Sequence, residues 1–111
     1  MVAYDEALAE RILRLVADRD DVSERRMFGG WALMLGDNMA CGVIGDELLA
    51  RVGRDDYEDA LDLPHARIMD MGGRPMTGFV IVGRGGIDGD AGLRSWVARG
   101  VAIADALPPK D

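Results

Sequence analysis

Two hydrophobic periods alternate along this chain. Over Tyr4 to Ala17, the residues Tyr4, Leu8, Ile12, Leu15 and Val16 recur at helical spacing. Asp5, Glu6, Glu10, Arg11 and Arg14 fill the opposite face, and Glu10–Arg14 is a favourable pair one turn apart. The pattern predicts an amphipathic helix, broken by the polar stretch Arg19-Asp20-Asp21. The period then shortens to two. Trp31, Leu33 and Leu35 alternate with Ala32 and Met34. Met39, Cys41 and Val43 alternate with Ala40, Gly42 and Ile44, and Leu48, Ala50 and Val52 with Glu47, Leu49 and Arg51. Gly36-Asp37 and Gly45-Asp46 separate these runs. Gly-Asp suits a two-residue type II′ hairpin, in which glycine takes the left-handed first position. Three consecutive antiparallel strands are therefore expected, preceded by an extended Arg25–Phe28.

Helical spacing returns briefly from Arg54 to Leu61, with Tyr57, Ala60 and Leu61 inward, and Pro64 ends it. Ala66–Met69 and Phe79–Val82 read as two further strands around a Gly72-Gly73-Arg74-Pro75 loop. Leu93, Trp96, Val97, Val101, Ala104 and Leu107 then form a helical stripe over about Ala91–Ala106. Asp90 is the expected N-cap and Pro108-Pro109 the stop. Gly92 and Gly100 each weaken this helix by about 1 kcal/mol relative to alanine. Gly100 is placed to let the helix approach the sheet. The order is α-β-β-β-α-β-β-α: one small α+β domain over residues 1–111, with a mainly antiparallel sheet, flanking helices and a short polar tail at 108–111.

Composition narrows the chemistry. Thirteen bases against 20 acids give a net charge of −7 over 111 residues, so direct nucleic-acid binding is not expected. Twelve of the bases are arginine, and the lone lysine is Lys110. That leaves no Walker A lysine and no interior Schiff-base lysine. The aliphatic hydroxyls are Ser23, Thr77 and Ser95, with one histidine, His65, and one cysteine, Cys41. One cysteine excludes an internal disulfide and a cysteine-built zinc site. No apolar run is long enough for a membrane span, and the acidic first ten residues do not read as a signal peptide. A cytoplasmic location, no cofactor and no metal are the expectations.

Arg25-Arg26-Met27-Phe28-Gly29-Gly30-Trp31 is the most informative segment. With Gly73-Arg74-Pro75-Met76, it resembles the signature of the TfoX N-terminal-domain family, and the resemblance extends over roughly Tyr4–Leu107. It implies an α-β(3)-α-β(2)-α fold similar to small secretion-chaperone-type domains, in agreement with the periodicity. The name-giving members regulate natural competence as transcriptional co-regulators beside a DNA-binding activator, and carry a second, C-terminal domain. The resemblance implies a stand-alone member here and carries over no catalytic residue.

Candidate interaction residues are thus Arg25, Arg26, Phe28, Gly29, Gly30, Trp31, Arg74, Pro75 and Met76. Neighbours on a strand point to opposite faces, so one arginine of the pair is expected to pack or pair inside, with Glu24 or Asp70, and the other to face solvent. The two glycines permit a bend, with Phe28 and Trp31 buried on its core side. Gly83-Arg84-Gly85-Gly86-Ile87-Asp88 lacks the last glycine of a dinucleotide fingerprint, and Asp88 and Asp90 would repel a pyrophosphate. An EF-hand reading starting at Asp88 or Asp90 meets Arg99 or Val101 where its glutamate belongs. Cys41 reads as buried, His65 has no nucleophile motif beside it, and Asp55, Asp56, Glu58, Asp59 and Asp62 read as a solvated face or an acidic docking surface. The strand-region methionines read as core filling, or as an interface if one sheet face is left bare. The expected function is a non-enzymatic regulatory or adaptor module that binds protein, with a homodimer conceivable through a sheet edge. The alternative is a small anionic-ligand-binding or enzymatic domain using Arg25, Arg26 or Arg74.

Overall fold

The computed structural model describes residues 4–27, 29–71 and 73–107. Helix α1 (Glu6–Leu15) is followed by strands β1 (Val22–Met27), β2 (Gly30–Leu35), β3 (Asn38–Ile44) and β4 (Glu47–Arg51). Then come helix α2 (Tyr57–Leu61), strands β5 (Ala66–Met71) and β6 (Arg74–Val82), a 3-10 turn (Arg84–Gly86) and helix α3 (Asp90–Ala106). The α+β class and the antiparallel sheet are as expected. The extended stretch anticipated ahead of the first hairpin is a full strand, so the sheet has six strands in the order β1-β2-β3-β4-β6-β5. Phe28, Gly72 and the tail 108–111 lie outside the described residues.

The hairpin chemistry is as the sequence predicts. Leu35 pairs with Asn38 and Ile44 with Glu47, leaving the two-residue loops Gly36-Asp37 and Gly45-Asp46. In each loop glycine takes φ +60 and the aspartate does not enter the left-handed region, as a type II′ turn requires. The start of the last helix differs from expectation. Gly89 is the N-cap and Asp90 the first helical residue, with no side-chain capping bond. The Asp90 carboxylate instead accepts from Arg11 Nη2 at 3.2 Å, which ties α3 to α1.

The three α-helices of the described residues pack on one face of the sheet. Their buried residues, Ile12 and Trp96 among them, join Trp31, Leu33, Cys41, Val43, Leu48, Ala50, Val80 and Val82 in one core. The other face carries a second cluster of Ala32, Met34, Met39, Leu49, Met69 and Ile81, to which no described helix residue belongs. Met27, Ile44, Met76 and Phe79 close its rim. Methionine's unbranched chain fills such an irregular layer. One expectation fails here: Met39 does not share a face with Cys41. Leu33 pairs with Cys41 but Met34 with Met39, so β3 bulges at Ala40 and the alternation resets. Cys41 is fully buried, and burial pushes its thiol up to about 12, so the nucleophilic thiolate is not formed near neutrality.

Gly100 lets α3 approach the bulge. A Cβ there would lie 1.9 Å from the Ala40 carbonyl oxygen, as close approach through this glycine implies.

Arg19 ties the loop after α1 to the far end of α3, with Nη2 at 2.8 Å from both Asp21 and Asp105. Its hydrogen bonds hold both carboxyls below the usual carboxylate range. A depressed acid contributes stability above its unfolded pKa and loses it as pH falls through the folded one. Arg19→Met is therefore expected to lower the urea midpoint at neutral pH, and the gap from wild type to close below about pH 4. Urea midpoints measured across that range check it, and a gap that persists in acid would refute the ion-pair account.

Candidate functional site

β1 is an edge strand, bonded to β2 and to nothing on its other side among the described residues. Four central positions, Ser23 to Arg26, are exposed. Pairing with β2, not an internal apolar pattern, makes this polar segment a strand: Glu24 lies opposite Leu33, Arg25 opposite Ala32 and Arg26 opposite Trp31.

Neither arginine packs inside, contrary to expectation. The partners proposed for them are occupied: Glu24 Oε1 accepts from the Trp31 indole Nε1 at 2.8 Å, and Asp70 Oδ1 accepts from the Gly73 amide at 2.7 Å. Arg26 lies over the Tyr4 ring, 5.7 Å from its centroid, a cation–π contact at the surface. Arg25 points to the methionine-lined side and no carboxylate among the described residues pairs with it.

Trp31 is a core residue. It is 3% exposed, stacks on Tyr4 at 6.5 Å between centroids and lies opposite Val43. A partner cannot reach it without unfolding the strand. Gly29 makes the anticipated bend with φ +73. Gly30 has a different duty: a Cβ there would lie 2.2 Å from the Val43 carbonyl oxygen, so glycine admits the β3 backbone.

Arg74, Pro75 and Met76 open β6. In strand order they are separated from β1 by β2, β3 and β4, so the two sequence motifs are not adjacent strands. Their methionines do share a face, since Met27 and Met76 pack on the same methionine cluster. Arg74 and Pro75 are exposed.

The remaining sequence candidates take structural places. Arg84 is ringed by carboxylates, at 3.5 Å from Asp46 and Asp88 and 3.9 Å from Asp5, which suits no phosphate. His65 adopts φ +71, and its ring covers Gly85, where a Cβ would meet it at 2.4 Å. Asp55, Asp56, Glu58, Asp59 and Asp62 are all exposed. No group of three or more metal-ligating side chains is assembled among the described residues, and no described helix is long and apolar enough to cross a membrane.

A one-sided helix layer, a meander of four strands, and an arginine-bearing edge before Gly-Gly-Trp define a small α+β sheet domain with two unlike faces. This chain belongs to the TfoX N-terminal domain family, whose model matches residues 14–104. No curated protein and no solved structure matches it.

Proposed function

We propose that this chain is a non-enzymatic regulatory adaptor that acts by binding another protein, as co-regulators do. The observation that carries the reading is the β1 edge. Among the described residues its outer side pairs with no other strand, and it presents two exposed arginines on a chain whose net charge is −7. An edge strand is a template for an added strand, with side chains giving specificity. Arginine pairs best with carboxylates, so the fitting partner is an extended segment bearing acidic residues, and Arg74, two positions before Met76 on β6, extends the recognition surface on the methionine face.

Affinity capture from the native cell, quantified by mass spectrometry, tests this with wild type and Arg25→Ala/Arg26→Ala at matched stability. A partner that is lost with the double variant, and whose contact protects β1 amides from hydrogen exchange, is the expected result. A partner retained equally by both proteins would overturn the assignment of this edge. Sedimentation of the purified chain identifies the special case in which the partner is a second copy.

A further inference from the structure

A second cationic site lies away from the β1 edge. Chain leaving β4 folds under β6: the Val52 and Gly53 amides both donate to the Gly78 carbonyl oxygen, at 2.8 and 3.1 Å. Gly53 and Gly78 hold φ +81 and +95. Between this turn and the end of α3 is a cavity of about 440 Å³ whose lining includes Arg51, Arg54, Thr77, Phe79, Ile103 and Leu107. That volume is in the range of small-molecule sites.

Arg51 is half-buried, with its guanidinium 5.3 Å from the Phe79 ring centroid and Nη1 donating to the Met39 carbonyl oxygen at 2.9 Å. A guanidinium has five N–H donors, so most of its fork remains available. Burial lowers the pKa of Arg51, a sign that its charge is poorly solvated. Arg11, Arg19, Arg67 and Arg84 each pair with an acid, yet no carboxylate among the described residues lies within ion-pair distance of Arg51 or Arg54. Arg51 thus keeps a half-buried charge beside Arg54 with a carbonyl and a ring as neighbours but no counter-charge, so an anion arriving here would meet two cations that no described acid neutralises.

We propose that this cavity binds a small organic oxyanion, a phosphate monoester or carboxylate with an apolar arm. The oxyanion sits between Arg51 and Arg54 with the Thr77 hydroxyl as a further donor. The arm lies against Phe79, Ile103 and Leu107. The assignment is independent of the β1 edge and stands or falls separately from the adaptor reading.

Phenyl phosphate, phenylacetate and uncharged phenylacetamide serve as probes in a nuclear magnetic resonance titration of the whole isotopically labelled chain. The two anions are expected to shift the Gly53, Thr77 and Gly78 amides and the Arg51 Nε–H signal saturably, with a Kd of about 1 mM. Their ratio tells which head group the site prefers. Phenylacetamide is expected to bind at least about tenfold more weakly. Arg54→Gln, an exposed position outside the sheet, is expected to weaken the anions about fivefold, while Arg51→Met tests the buried partner where it folds. Phenylacetamide binding as tightly as the anions, Arg54→Gln leaving their affinity unchanged, or no saturable shift by about 10 mM would overturn the proposal.

Discussion

Gly100→Ala is expected to destabilise the domain by about 3 kcal/mol, or to prevent folding. Helix propensity alone predicts the opposite sign, a gain of about 1 kcal/mol for alanine in a helix interior. Contact decides the sign. The added methyl would sit 1.9 Å from the Ala40 carbonyl oxygen, which belongs to backbone at a strand bulge and not to a yielding side-chain tip. Relief requires lifting α3 off β3, which opens the layer holding Trp96, Val97 and Ala104. Ala98→Gly, on the exposed side of the same helix, is expected to cost about 1 kcal/mol by propensity. Both substitutions should therefore lower the urea midpoint. Gly100→Ala raising it would show that helix and sheet are not in the contact described.

Trp31→Ala is expected to cost about 3–5 kcal/mol. It removes a buried indole, its stack on Tyr4 and the hydrogen bond that holds Glu24, and it leaves a cavity opposite Val43. Arg25→Ala and Arg26→Ala are each expected to change stability by no more than about 0.5 kcal/mol, because both side chains are exposed. The contrast divides one sequence motif into two physical parts. Its tryptophan anchors the edge strand from inside, and its arginines remain free to be read from outside. Calorimetric melting of the three variants checks the division. Equal losses at all three positions would place the arginines in the core and remove them from the recognition surface.

β2 and β3 were legible as short apolar runs bounded by Gly-Asp turns, because both are buried on both faces. Trp31, Leu33 and Leu35 do fall on one face and Ala32 and Met34 on the other. The hairpins were legible because glycine before aspartate selects a turn locally. β1 was only half legible: Val22–Met27 is polar throughout its middle, and pairing with β2 decides its form. Met39 was misplaced because a bulge adds a residue without changing the sequence pattern around it. The start of α3 was misassigned because Asp90 finds Arg11, 79 positions earlier, in place of its own helix amides. The cavity at Arg51 and Arg54 was missed for a similar reason. It takes side chains from β4, β6 and α3, and its only local trace is glycine between two charged turns at Arg51-Val52-Gly53-Arg54.

Placing every helix on one face sets an order on the chain as it is synthesised. β1 to β4 are neighbours in both sequence and space, so their pairing needs nothing downstream. Their aliphatic face, however, is covered chiefly by α3, which begins only at Asp90, after α2, β5 and β6 have intervened. A nascent chain that has finished the meander thus has only α1 to cover Leu33, Val43 and Leu48 until α3 leaves the ribosome. The seventeen-residue α3 is the lid on a surface already built, and a chain cut short of it would carry a ready-made sticky sheet.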